Sequence, residues 1–204
     1  GFEPFAGDAT NPSGDAVRMV ADQWDEPEQL VTAVLPVEFD RARRSLFELI
    51  ATHEPDVVIA TGLAGGRSGI SVERVAINLI DARIPDNAGD QPVDVPSSPG
   101  APAAHFATLP VKAITAAIAD AGIPAAVSHS AGTFVCNHAM FTALDVDGPT
   151  VRRAGFIHVP YARETAPDDR PSLPLADIAR ALRIALRTSL DTDGDASYAA
   201  GTID

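Results

Sequence analysis

Short apolar, β-branched segments alternate along the chain with segments whose apolar residues recur near a 3.6-residue period, and this alternation restricts the fold more than any other feature. Val57-Val58-Ile59-Ala60, bounded by Pro55-Asp56 and Gly62, has the length and composition of a central strand. Further strands are expected over Leu30 to Leu35, Val72 to Leu79, Ala125 to Ser130 and Gly155 to Val159. Helices are expected from Asn11-Pro12-Ser13, over Glu38 to Ile50, over Leu109 to Ala121, from near Cys136, and over Leu175 to Leu190. Asn11 can cap the free N–H groups of the first helix, with Pro12 at the position that needs no donor. Strand and helix in turn make an α/β fold with a largely parallel sheet.

The 204 residues fit one domain, 1–204, on a prior of about 150 residues per domain. A net charge of −13 is the wrong sign for a nucleic-acid or anionic-membrane partner. One cysteine closes no internal disulfide, which favours a reducing, cytoplasmic setting. No apolar run approaches the length of a membrane span, and Gly1-Phe2-Glu3-Pro4 lacks the regions of a signal peptide. The chain starts at Gly1 without Met, and a first strand is expected in front of it. The tail over 191–204 is expected to fray. Between Asp81 and Pro110 a proline-rich stretch, Pro96-Ser97-Ser98-Pro99-Gly100-Ala101-Pro102, breaks the rhythm and reads as a lid or an interface segment.

A lone thiol is commonly a small buried hydrophobe. Cys136, however, follows a strand and the turn Ala131-Gly132-Thr133, which puts it in the first turn of a helix, where partial positive charge stabilises a thiolate. Such turns lie at the carboxyl edge of an α/β sheet. Among the five histidines, His138 is two residues on and points away from the thiol on a helix. His53 lies at a helix end, His105 in the proline-rich stretch and His129 in a strand. His158 ends the strand Gly155 to Val159, one helix and one strand after Cys136, and so is expected back at the same sheet edge. A third group should orient the imidazole. Glu73 shares a strand parity with Val75, Ile77 and Leu79, so it needs a partner on an apolar face: either a salt bridge, for instance with Arg83, or His158. Asp81 and Asp86 stay open as alternatives.

Other signals fail. The run from Gly62 to Gly69 lacks the spacing of a phosphate-binding loop and reads as a loop for close backbone approach. Asp191-Thr192-Asp193-Gly194-Asp195 imitates a calcium loop, but Ala196 and Thr202 occupy its glycine and bidentate-acid positions. No His or Cys pair has zinc-site spacing, and neither a metal nor an organic cofactor is expected.

Taken together, Gly1-Phe2-Glu3-Pro4-Phe5, Gly62-Leu63-Ala64-Gly65-Gly66-Arg67, Glu73-Arg74-Val75-Ala76-Ile77-Asn78, Ala82-Arg83-Ile84-Pro85-Asp86-Asn87, Ser130 to His138 and Gly155 to Pro160 resemble the type I pyroglutamyl peptidases, in the family's order. The resemblance implies a single-domain three-layer α/β/α sandwich with a mixed, largely parallel sheet, related to the nucleoside phosphorylases, and commonly a homotetramer. It implies a cysteine peptidase acting on peptides with an N-terminal pyroglutamate through a thioester. Cys136 would be the nucleophile, His158 the base and acid, and Glu73 the residue orienting His158. Phe2 and Phe5 would flank the lactam, Phe134 and Val135 would add to its pocket, and Arg83 with the Cys136 amide would polarise the scissile carbonyl. Ala6, Leu63 and Val37 depart from the residues usual in the family. A catalytically silent binding or assembly module of the same fold is the alternative, and a nucleoside phosphorylase is a more remote one.

Overall fold

The computed structural model describes residues 1–146, 151–167 and 169–201. Helix α1 (Pro12–Asp22) begins as expected: Asn11 Oδ1 accepts from Ser13 N at 3.1 Å, while Asn11 Nδ2 donates to Glu3 O and Phe2 N to Ser13 Oγ. The capping residues thus also pin the amino-terminal segment. Helix α2 (Phe39–His53) has no cap from its own Glu38; the carboxylate of Asp86 supplies one from a distance, accepting from Phe39 N at 3.0 Å. Asp86 also accepts from Ala88 N and Asp90 N, so its acceptor capacity goes into local backbone order.

The main sheet has the order β1 (Val57–Leu63), β6 (Arg153–Val159), β2 (Ile70–Glu73), β5 (Ala125–Ser128). β1 runs parallel to β6 and β2 parallel to β5, but β2 and β6 are antiparallel. Helices α1, α3 (Val111–Asp120) and α5 (Leu175–Asp191) cover one face, with Val20, Ile114, Ile118, Ile178 and Leu182 packed on Ile70, Val72, Ile157 and Val159. α2 and α4 (Val135–Leu144) cover the other, with Leu46, Ile50, Met140 and Phe141 packed on Ala60, Ala154 and Phe156. Alternate residues of β6 therefore feed two cores, as a three-layer α/β/α sandwich with a mixed, largely parallel sheet requires.

Several expectations need correction. Leu30 to Leu35 forms no strand; Leu35 makes a single parallel bridge with Phe2. The expected strand Val72 to Leu79 breaks at Arg74, whose N–H donates to Ser128 O and whose carbonyl accepts from Ala107 N. β3 (Val75–Ile77) leaves the main sheet and pairs with β4 (Ala104–Phe106), an unexpected strand just after the proline-rich stretch. The parity assigned to Glu73 fails with it, since Ala76 is buried while Val75 and Ile77 are not; Glu73 is buried because β2 is covered on both faces. A short pair, β7 (Tyr161–Ala162) and β8 (Ser172–Leu173), follows β6.

The stretch from Asn78 to Ala103 is tied down rather than loose: Asn78 bonds Ser98 and Ala101, and Ile80 pairs with Val95. The described part of the tail expected to fray, up to Gly201, folds back instead, with Asp195 Oδ1 accepting from Lys112 N and Ala113 N at the start of α3 and Tyr198 Oη donating to Lys112 O. That fixes the use of Asp195 in the calcium-like run, whereas Thr202 lies outside the described residues.

His138 on α4 is 3% exposed, with Nδ1 2.6 Å from Ser97 Oγ, and burial pulls its pKa down to about 4. A histidine kept neutral by folding takes up protons more readily when unfolded, so its contribution is complete above the ordinary value of 6.5 and is lost as the pH falls towards 4. Between about pH 7 and pH 5 this costs about 2 kcal/mol. Urea unfolding at the two pH values should show His138→Gln with the shallower pH dependence by that amount; equal dependences would exclude the effect.

Candidate active site

Cys136 is the second residue of α4, which has no side-chain cap at its N-terminus, and the thiol is half-buried. Its neighbour across the gap is Gly62 of β1: a Cβ on Gly62 would lie 2.8 Å from Cys136 Sγ and 2.9 Å from Phe156 Cζ. Only glycine leaves room for the helix start to approach the sheet this closely. Gly62 is in turn the parallel register partner of His158 on β6.

His158 is 5% exposed, and its Nδ1 lies 2.8 Å from Glu73 Oε1. Ser71 and Val72 pair with His158 and Ile157, so Glu73, one residue further along β2, stands diagonally across from His158 on the same face. The pairing of β2 with β6 brings the two side chains within reach of each other. Glu73 Oε1 also accepts from Arg67 Nη1 at 2.7 Å, and Arg67 Nη2 donates to Ser130 O at 3.3 Å. Glu73 Oε2 is buried with no hydrogen-bond partner. The two partners weighed for Glu73 are thus both present, the salt bridge coming from Arg67 and not from Arg83.

The expected meeting at a shared carboxyl edge does not occur. Because β2 is antiparallel to β6, β5 and β6 run in opposite directions, and the start of α4 lies over the face of β1 and β6. Cys136 and His158 come together through Gly62, not through parallel strand ends.

Electrostatics also change the expected state of the thiol. Burial pushes Cys136 up to about 12 and the Glu73 carboxylate adds to the rise, against weaker opposition from Arg67, the local N–H and the Gly1 amino group. The resting residue is therefore a thiol and not the thiolate expected at a helix N-terminus. Burial pulls His158 below its ordinary value, with Glu73 raising it and Arg67 lowering it. For Glu73, burial raises the pKa, but His158, Ser128 and Arg67 outweigh it and the net shift is downward. The imidazole is held neutral beside a carboxylate held charged.

Phe5 and Phe134 are half-buried, their rings 6.3 Å apart, and Phe39 packs edge-on against Phe134 at 5.3 Å. Phe2 is buried on Phe156, whose ring lies 4.7 Å from that of His158, and Val135 is in the core. Arg83 is exposed and, among the described residues, makes no hydrogen bond or ion pair; two residues before it, Asp81 bonds Thr133 through both backbone groups, just ahead of Phe134. Asn137, 0% exposed, was not anticipated: it bonds Ile77 N, Ile77 O and Leu79 O and so anchors α4 to β3.

The sequence model of the pyroglutamyl peptidase family matches residues 1–192. The chain belongs to that family. It is 46% identical to the pyrrolidone-carboxylate peptidase of Clavibacter michiganensis, over all of this chain and 97% of that protein. To that of Thermococcus kodakarensis it is 52% identical, over 92% of each. The crystal structure of pyroglutamyl peptidase I from Bacillus amyloliquefaciens superposes with a TM-score of 0.92 at 44% identity, covering 97% of this chain and 96% of that one. The likeness thus takes in the sheet, both helical layers and the loops around Cys136.

The sign of the Glu73 effect is directly measurable. Glu73→Gln removes the charge that raises His158 while leaving burial and Arg67, so the imidazole midpoint followed by NMR should fall further below 6.5. A midpoint that rises would contradict this electrostatic arrangement.

Proposed function

We propose that this protein is a cysteine-type omega peptidase that removes an N-terminal pyroglutamyl residue from peptides, with Cys136 as nucleophile, His158 as base and acid, and Glu73 orienting His158. The observation that carries the reading is the sole thiol, seated over Gly62 beside the His158–Glu73 pair. Family membership and the names of the relatives support the substrate class.

In the reaction, His158 takes the thiol proton as Sγ attacks the pyroglutamyl carbonyl carbon. It gives that proton to the departing amine as the C–N bond breaks, which leaves a thioester. His158 then takes a proton from water as its oxygen attacks, and returns it to Sγ as the C–S bond breaks. Glu73 stabilises the imidazolium formed at each stage. The uncapped N-terminus of α4 offers the Cys136 N–H to the oxyanion, and such a donor contributes about 3 kcal/mol to lowering the barrier. Arg83, two residues after the Asp81 backbone that bonds Thr133, would polarise the same carbonyl.

Pyroglutamate is a compact, uncharged lactam, so a slot between aromatic rings selects it without a charged clamp. Phe2 and Phe5 flank the lactam in this reading, and Phe134 and Val135 add to its pocket; the pairing of the half-buried Phe5 and Phe134 rings supports it. The reading places the enzyme in the reducing cytoplasm, where its thiol stays free. No helix among the described residues is long and apolar enough to cross a membrane. Assembly into a homotetramer belongs to the same reading, with the apolar surface at Val93, Val95 and Phe106 available for it.

Incubation with a fluorogenic pyroglutamyl amide should release the fluorophore, and Cys136→Ala should abolish release. A folded wild type that releases none would reject the reading in favour of a catalytically silent module. Gly62→Ala should keep the fold but push the thiol off the His158 side, lowering kcat/KM by about 100-fold. Wild-type kcat/KM in a variant of native circular dichroism would show that the close approach is dispensable.

A further inference from the structure

We propose that Arg67 is a positioning residue, which holds the Glu73 carboxylate in the one orientation that serves His158 and ties it to the turn ahead of the nucleophile. The proposal rests on the roles given above to Glu73 and His158.

The geometry singles out Arg67. One oxygen of Glu73, Oε1, takes both the Arg67 and the His158 bonds, at 2.7 and 2.8 Å, while Oε2 is buried and unpartnered. A carboxylate with a single donor could rotate to present either oxygen; with two donors meeting on Oε1, rotation breaks both bonds at once. The guanidinium is planar and its donors diverge at fixed angles, so Nη1 and Nη2 also fix the distance from Glu73 to Ser130 O. Ser130 opens the turn that leads to Phe134 and Cys136, and its hydroxyl accepts from Gly132 N. Arg67 therefore spans from the orienting carboxylate to the segment that delivers the thiol.

The loop carrying Arg67 is itself fixed. Arg67 N donates to Ala64 O, and a Cβ on Gly65 would lie 2.5 Å from Tyr161 Cε2, so the loop lies flat on the ring. Tyr161 Oη donates to Asp8 at 2.9 Å, which anchors that ring. The Arg67 side chain is 32% exposed against 0% for Glu73, so the cation reaches the buried anion from the surface and its own desolvation is small.

The ionisable groups acting on His158 are Glu73 from β2 and Arg67 from the β1–β2 loop, while Cys136 from α4 lies over Gly62, the register partner of His158, and feels Glu73, Arg67 and the Gly1 amino group. Of these only Arg67 is a cation that also bonds the orienting carboxylate. Its charge opposes protonation of His158 and keeps Glu73 ionised when the imidazole is neutral. A salt bridge serving stability alone would leave kcat of the folded variant unchanged.

The test compares wild type, Arg67→Gln and Arg67→Lys by NMR titration of His158 and by pH profiles of kcat and KM on a pyroglutamyl amide. In Arg67→Gln the His158 midpoint should rise, because a nearby cation is gone. The acid limb of kcat/KM should move to higher pH with it, since the imidazole must be neutral to accept the thiol proton. At the optimum, kcat should fall about tenfold or more with KM within about twofold, and Arg67→Lys should recover the midpoint and part of kcat. An unmoved midpoint in Arg67→Gln overturns the proposal whatever happens to activity. A shifted midpoint in a protein that hydrolyses no pyroglutamyl amide supports the coupling and rejects the peptidase reading. Arg67→Gln in a Glu73→Gln background guards against misfolding, because no buried charge is then left unpaired. There the further loss in kcat should be under about twofold, and a full additive loss would overturn action through Glu73.

Discussion

The arrangement turns on a carboxylate with no solvent exposure, inside a sheet covered on both faces. An isolated ionised carboxylate in such a place costs several kcal/mol, and it persists only where partners satisfy it. Glu73 has two strong donors, one from a neighbouring strand and one from the surface, converging on a single oxygen. β2 must therefore lie where its last residue meets β6 diagonally, and the β1–β2 loop must turn back far enough to present Arg67. The break of the strand at Arg74, straight after Glu73, fits the same requirement: the chain delivers the carboxylate and then leaves the sheet.

The reversal of direction between β6 and β2 decides where chemistry can occur. In an all-parallel sheet the strand ends collect at one edge, and sites gather there. Here helix α4, which carries Cys136, starts over the face of the sheet, and a helix can approach a strand face only if something small lies beneath it. Gly62 is that residue, flanked by Phe156 on the neighbouring strand and opposed by Cys136. Asn137, next to Cys136, anchors the same helix turn by two hydrogen bonds to Ile77 of β3 and one to Leu79 beyond it, so the thiol's position is held from both sides.

Much of this was legible in the residues. Asn11-Pro12-Ser13 announced α1, apolar periodicity located α2, the alternation of strand and helix placed α3, α4 and α5, and residue type with chain order put Cys136 and His158 forward, while Asp81 and Asp86 stood beside Glu73 until the family resemblance favoured it. What stayed hidden was non-local. Leu30 to Leu35 has strand composition, but a ladder needs a partner that composition does not supply. Alternation along Val72 to Leu79 cannot reveal that the backbone bonds of Arg74 go to two different segments. Asp86, weighed as a partner for the imidazole, instead caps a helix 47 residues away. Arg67 sat in a glycine-rich run read for its backbone, and nothing local to that run says that its guanidinium reaches a buried carboxylate.

The state of the thiol shows why that partner matters. A helix N-terminus stabilises an anion by about 0.3 to 1 kcal/mol at the surface and about 2 kcal/mol when partly buried. Raising a thiol from 9.0 to about 12 corresponds to about 4 kcal/mol against the anion, so burial and the Glu73 charge win. Cys136 thus waits as a thiol, and in the proposed reaction its proton leaves only as the carbonyl arrives. The readiness of that transfer depends on how strongly His158 holds a proton, which is the balance among burial, Glu73 and Arg67. A carboxylate alone would make the imidazole a stronger base but leave it protonated over more of the pH range. The cation behind the carboxylate trims that effect, and the imidazole stays neutral and oriented until it is used.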